Sequence, residues 1–120
     1  MKKVTFKDVP KIARTESLFT DTVYAQSILE HEDSDNFNFA IVNFPESART
    51  KFHIHSGDQI LIITEGEGMV CNEEIELNVK KGDMVSINAG ENHWHGAKEN
   101  TTMSHITITV SGSTTEVTED

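Results

Sequence analysis

Short β-forming runs separated by glycine-containing turns limit what this chain can fold into more than any other feature of its sequence. Runs rich in Val, Ile, Phe and Thr occur at 36–44, 50–55, 59–64, 68–71, 83–87 and 103–110. Glycine lies between several of them, at 56–58, 65–68, 81–83 and 89–92, where the chain must reverse. The pattern predicts an all-β fold of hairpins, with a sandwich, a jelly roll or a small barrel as candidates. Only segment 17–30 leaves a helical turn or two open.

The length and the absence of internal divisions favour one domain. A chain of 120 residues is the usual size of a single domain, and it contains no repeat and no proline-rich or glycine-serine linker. We therefore predict one domain over 1–110. Residues 111–120 consist of Ser, Thr, Gly and acidic residues with one valine, which predicts a flexible acidic tail.

Charge and cysteine content limit the classes of binding partner and the cellular compartment that we expect. Twenty acidic against ten basic residues give a net charge of -10, which would repel nucleic acid and anionic membrane surfaces. No apolar run approaches the roughly 18 residues needed to span a bilayer. The single cysteine, Cys71, cannot form an internal disulfide, and no secretory leader opens the sequence. We expect a cytoplasmic protein whose partner is a small molecule.

Histidines spaced by two residues point to a metal site. They occur as His-Ile-His at 53–55 and His-Trp-His at 93–95, with His105 on a later run. Alternate side chains of a strand share a face, so His53 and His55 converge on one point. Imidazole suits first-row divalent ions, and Gln59 can add a carbonyl oxygen across the hairpin. Taken alone, such a pair is more often partly exposed and bonded to solvent, so the surrounding residues decide.

Those surrounding residues resemble the two motifs of the cupin family over about 44–97. In that family the first motif supplies two histidines and, four residues on, a glutamate; the second, Gly-Asp followed by Pro-x-Gly-x-x-His, supplies a third histidine. The resemblance implies a cupin double-stranded β-helix, a jelly-roll barrel. It also implies that His53, His55, Gln59 and His93 bind one divalent metal ion. Manganese is preferred, and iron, nickel and zinc are alternatives. The turn glycines by position are Gly66, Gly68, Gly82 and Gly90.

The sequence departs from these motifs at two positions. Asn88 stands where the second motif has proline, and the nearby Gly90 still supplies a flexible turn residue. Gln59 stands where the first motif has glutamate. Three imidazoles and one amide leave the charge of a divalent ion uncompensated, so the ion would be a stronger Lewis acid and a better binder of anions.

A narrower resemblance covers about 38–110. The residues that carry it are Phe44-Pro45, Ala48-Arg49-Thr50, Gln59, 93–97 and 103–106. They are similar to small cupins called carboxymuconolactone decarboxylase-like, which include manganese-dependent bacterial hydroxynitrile lyases. The resemblance implies a homodimeric lyase that cleaves a carbon–carbon bond in a small, cyanohydrin-like substrate. Two alternatives stay open: a metal-dependent dioxygenase, and a non-catalytic cupin that binds a ligand or metal.

Further residues are predicted to line the pocket. His105 is a candidate general base, since the ordinary histidine pKa lies near working pH, although a buried hydrogen-bonded role is equally consistent. His95 shares the parity of His93, and Thr109 shares that of His105. The resemblance places Ala40 and Val42 on the pocket side of their strand. Arg49 is a candidate for binding an anionic substrate, with a surface ion pair as the alternative.

Overall fold

Ten β-strands make up almost all the regular structure of the computed structural model, which describes residues 1–120. The strands are β1 (Ile12–Arg14), β2 (Val23–Leu29), β3 (Phe37–Phe44), β4 (His53–His55), β5 (Gln59–Asn72), β6 (Glu76–Lys80), β7 (Met84–Ile87), β8 (His93–Ala97), β9 (Met103–Val110) and β10 (Thr115–Val117). The only helical element is a 3-10 turn, Phe6–Asp8. The predicted all-β class is therefore confirmed, and no helix has the length and apolar character needed to cross a membrane.

The long strand β5 joins the two layers of the barrel. Its first part pairs with β9 and β7, and the order β1-β2-β3-β9-β5 forms one layer. Its second part pairs with β8 and β6, and β8 continues to β4 and β10. The main core lies between the layers; it contains Val23, Phe44, Ala48, Leu61, Ile63, Val70, Val79, Ile87, Ala97 and Met103. The candidate ligands on β4, β5 and β8 thus belong to adjacent walls of one barrel.

The turn predicted at 65–68 is wrong, because β5 runs through these residues. The chain continues as one strand through Gly66 and Gly68, with a register shift between Ile63 and Glu65 in the pairing with β9. Gly66 has a positive φ of 69°, and a Cβ there would lie 2.0 Å from the carbonyl oxygen of Thr102. The glycine is therefore needed for a bulge and a close backbone approach, which carry the same sequence signal as a reversal.

The segment that the pattern left open, 17–30, contains β2 rather than a helix. Gln26 on this strand donates hydrogen bonds to the carbonyl oxygens of Phe6 and Val9, at 2.9 Å each. These bonds hold the N-terminal 3-10 turn against the outer face of the β2-β3-β9-β5 layer. Val4 and Val9 pack there on a second small core of Ile28, Ile41 and Ile106.

The predicted flexible tail at 111–120 is wrong over its middle part, because β10 pairs antiparallel with β4. Thr115 lies opposite His55, and Val117 lies opposite His53. All three side chains of β10 are exposed, which explains why composition indicated a tail. The backbone bonds of β10 cover an otherwise open edge of β4, and composition does not report such pairing.

Candidate metal centre

Three histidines converge inside the barrel. His53 and His55 project from β4, and His93 lies directly opposite His53 on β8. One ring nitrogen from each of the three lies within 4.8 Å of those from the other two. The exposed fractions are 1%, 8% and 1%, so the cluster is almost fully removed from bulk solvent. The structure thus brings together the three histidines that strand parity and the motifs singled out.

The outer nitrogen of each ring has a hydrogen-bond partner. Nδ1 of His53 lies 2.7 Å from the carbonyl oxygen of Lys51, and Nδ1 of His93 lies 2.8 Å from that of Glu91. A carbonyl oxygen only accepts, so both Nδ1 atoms must carry the proton and donate. Nε2 of His53 and of His93 is then unprotonated, the form in which an imidazole binds a metal.

Gln59 supplies the observation that tests whether this set suits a cation. Its amide nitrogen donates to Thr107 Oγ1 at 2.8 Å, which leaves Oε1 3.0 Å from Nε2 of His93. Both facing atoms are acceptors, so neither has a proton to share with the other. Nε2 of His55 is likewise buried without a partner. A cation would satisfy all of these lone pairs, and three imidazoles with one amide oxygen suit Mn, Fe, Ni or Zn alike.

Burial keeps the three rings neutral. Burial, together with the nearby His93, lowers the pKa of His53 to about 3. Burial also lowers the pKa of His55 and of His93 below the usual 6.5. Because a metal competes with protons for these nitrogens, the depressed pKa values favour metal binding at neutral pH.

A second histidine pair lies beside the first cluster. His105 Nε2 and His95 Nδ1 are 2.9 Å apart and share one hydrogen bond. The ring of His95 stacks on that of His93 with centroids 5.8 Å apart and an interplanar angle of 12°. His95 Nε2 and His105 Nδ1 are buried without partners. The shared proton can lie on either ring, so moving it switches which unpaired nitrogen is basic.

The pKa assumed for His105 from its residue type does not hold. Both rings of the pair are buried, at 0% exposure for His105 and 4% for His95. Burial lowers the pKa of His105 to about 4 and that of His95 well below 6.5. The pair is therefore neutral at pH 7, as a general base must be, but it is a weaker base than an exposed histidine.

A cavity of about 420 Å³ opens onto both histidine groups. Its wall includes the predicted residues Ala40, Val42 and Thr109, together with His95 and His105. The remaining lining residues are Arg14, Leu18, Phe19, Asn38, Phe44, Thr50, His53, His55, Gln59, Thr107 and Thr115. A volume of this size accommodates a small organic molecule.

Several of these wall residues were not among the predicted site residues. Thr107 lies two positions from both His105 and Thr109, so strand alternation could have identified it. Arg14 and Phe19 come from the N-terminal segment, and no motif marks them. The cavity wall contains no Asp or Glu, and its one Lys or Arg is Arg14, which also pairs with Glu16. The wall thus carries no carboxylate, although the whole chain is acidic.

Arg49 forms an ion pair, which is the alternative that the sequence left open for it. Arg49 is absent from the cavity wall. Its Nη2 lies 2.8 Å from Oε2 of Glu119, and its guanidinium lies 4.6 Å above the ring of Trp94. Trp94 has the strand parity opposite to His93, which places this stack on the other side of β8 from the ligands.

Comparison with known proteins gives four results. A family model described as Cupin domain matches residues 40–118. An (R)-mandelonitrile lyase from Granulicella tundricola is 37% identical over 91 residues, which cover 75% of this chain and 70% of that protein. An acireductone dioxygenase from Leptospira biflexa is 40% identical over 48 residues, which cover 37% of this chain and 27% of that protein. The crystal structure of a cupin-like protein from Thermotoga maritima superposes with a TM-score of 0.84 at 31% identity, covering 90% of this chain and 84% of that one.

Proposed function

The chain belongs to the cupin family, and from that premise we propose that it is a metal-dependent lyase. Its substrate would be a small hydroxylated molecule, such as a cyanohydrin, in which it cleaves a carbon–carbon bond. The observation that carries the proposal is the buried cluster of three histidines and Gln59 beside a second, hydrogen-bonded histidine pair in one cavity. The 37% identity to a protein named (R)-mandelonitrile lyase supports the choice of reaction.

The residues that would hold the ion are His53, His55, Gln59 and His93. A divalent ion bound there would act as a Lewis acid toward a substrate oxygen or a departing anion. All four side chains are neutral, so none of them offsets the ionic charge. With no carboxylate in the cavity wall and Arg14 on it, the site attracts a substrate that carries or develops negative charge.

The His95–His105 pair would handle the proton. In cyanohydrin cleavage the hydroxyl group loses its proton and its carbon–oxygen bond becomes a carbonyl. The carbon–carbon bond to the nitrile breaks, and its electron pair leaves with cyanide. The proton then joins cyanide, so atoms and charge balance. In either tautomer of the pair, one unpaired nitrogen, His95 Nε2 or His105 Nδ1, has a free lone pair to accept the proton. Shifting the shared proton then prepares the other ring to release it.

Turnover of mandelonitrile tests the proposal. Chelator-treated protein would be reloaded separately with Mn²⁺, Fe²⁺, Ni²⁺ or Zn²⁺, and cyanide and benzaldehyde would be measured. We expect release with at least one metal and none after His53→Ala combined with His93→Ala. His105→Gln should retain the metal and lose activity by about 10²-fold or more, the usual contribution of a general base. No release above the uncatalysed rate with any metal would reject the lyase.

A dioxygenase is the second candidate, supported by the 48-residue similarity to an acireductone dioxygenase. Such an enzyme would consume oxygen in proportion to product, whereas a lyase would not. A non-catalytic cupin that senses or stores a ligand remains the third candidate. Tight ligand binding to metal-loaded protein without any turnover would favour it.

A further inference from the structure

We propose that the C-terminal strand completes the metal centre, with Thr115 as the positioning residue that sets the orientation and tautomer of His55. The inference rests on the proposed metal-binding role of His53, His55 and His93. It assigns a function to a segment that lies outside both histidine motifs.

The contact between the two side chains is direct. Thr115 lies opposite His55 in the β10–β4 pairing, and side chains opposite each other in an antiparallel pair share a face. Thr115 Oγ1 lies 2.9 Å from Nδ1 of His55. Thr115 also lines the 420 Å³ cavity. It therefore holds His55 as the carbonyl oxygens of Lys51 and Glu91 hold the other two rings.

His55 differs from the other two candidate ligands in its hydrogen-bond partner, which is a hydroxyl rather than a carbonyl. A carbonyl can only accept a hydrogen bond, whereas a hydroxyl can accept or donate. When Thr115 accepts from Nδ1, Nε2 of His55 has a free lone pair for a metal. When Thr115 donates to Nδ1, Nε2 carries the proton and cannot bind. Nε2 of His55 is buried and has no partner in the protein. The tautomer of His55 therefore decides whether the third imidazole is available.

A polar clasp at the end of the chain keeps Thr115 in place. The carboxylate of Glu119 accepts the backbone N–H of Phe52 at 2.9 Å and pairs with Arg49 at 2.8 Å. Thr118 N–H donates to the carbonyl oxygen of Phe52 at 2.9 Å. Because the side chains of β10 are exposed, these bonds and the backbone pairing with β4, rather than apolar packing, hold the strand in place. Arg49 is thus part of the clasp that holds this strand.

Metal affinity of the full-length chain tests the inference. Mn²⁺ binding, with Zn²⁺ in parallel, would be measured by competition with a chromophoric chelator. Thr115→Val keeps the shape but removes the hydroxyl, and we expect it to weaken affinity about 10- to 100-fold, the usual effect of losing such a partner of a ligating histidine. Thr115→Ser should restore most of the affinity. Glu119→Gln should weaken it less, in the same direction. Glu116→Gln, an exposed change on the same strand, should leave it unchanged.

A second readout does not depend on metal. The ¹⁵N chemical shifts of the imidazole nitrogens report the tautomer of each ring in metal-free protein. Thr115→Val should change the shifts of His55 and leave those of His53 and His93 unchanged. If the wild-type protein binds neither Mn²⁺ nor Zn²⁺, the proposed function is rejected. The ¹⁵N shifts of His55 would still test the role of Thr115 in that case. Unchanged affinity in both Thr115→Val and Glu119→Gln, or unchanged His55 shifts in Thr115→Val, would overturn the inference.

Discussion

Acidification from pH 7 to pH 5 should lower the free energy of unfolding of the metal-free protein. Burial lowers the pKa of His53 to about 3 and that of His105 to about 4, whereas an unfolded histidine titrates near 6.5. Between the folded and unfolded pKa values the unfolded chain binds more protons, so stability is present above about pH 6.5 and is lost as the pH falls. Burial lowers the pKa of His55, His93 and His95 in the same direction.

The size of the effect follows from the pKa values of His53 and His105. At pH 5 the solution is about 1.5 units below the unfolded pKa and still above both folded values. Each ring then costs about 2 kcal/mol, at roughly 1.4 kcal/mol per unit, and the two together cost about 4 kcal/mol. Small domains have about 5–15 kcal/mol of stability, so this is a large fraction. With a urea slope of about 1–3 kcal/mol/M, the midpoint should fall by about 1–4 M.

Urea unfolding in the presence of a chelator, followed by circular dichroism at pH 7 and pH 5, measures the loss. His53→Gln cannot titrate, so its loss should be smaller than that of the wild type by about 2 kcal/mol. His31→Gln is the matched control, because the side chain of His31 is 91% exposed. An identical pH-dependent loss in His53→Gln and the wild type would show that His53 does not take up a proton on unfolding, and the argument would fail.

Three further predictions concern charge and assembly. Gln59→Glu should retain the metal but bind azide or cyanide more weakly, because the site charge falls by one unit; tighter or unchanged anion binding at equal occupancy would contradict this. Arg14→Gln should raise the Kd for an anionic ligand, whereas Glu16→Gln, which removes the ion-pair partner of Arg14, should not raise it. Equal Kd values for the two variants would exclude Arg14 from binding. The protein should be a homodimer, because the outer face of β3, β5, β7 and β9 exposes Phe37, Ile60, Met84 and Val110 by 53%, 38%, 60% and 44%. Light scattering should give twice 13.4 kDa, and a monomer at micromolar concentration would refute it.

Strand alternation and motif spacing were enough to predict much of the fold and the candidate ligands. The run at 103–110 matches β9 residue for residue, and the run at 36–44 matches β3 to within one residue. Both strands alternate between core and cavity, a period of two that is visible in any single segment. The same period placed His53 and His55 on one face, and the motif order added His93. These features are local, so a sequence without structure reports them.

The rest was decided by contacts between distant segments. Gly66 makes a bulge rather than a turn because the carbonyl of Thr102 lies against it. Strand β10 pairs with the edge of β4, and Arg49 pairs with Glu119 from the end of the chain. The depressed pKa of His105 reflects burial by the whole barrel. Alternation and composition indicate on which face of a strand a side chain lies. Its hydrogen-bond partners, its burial and its pKa are decided only when distant parts of the chain come into contact.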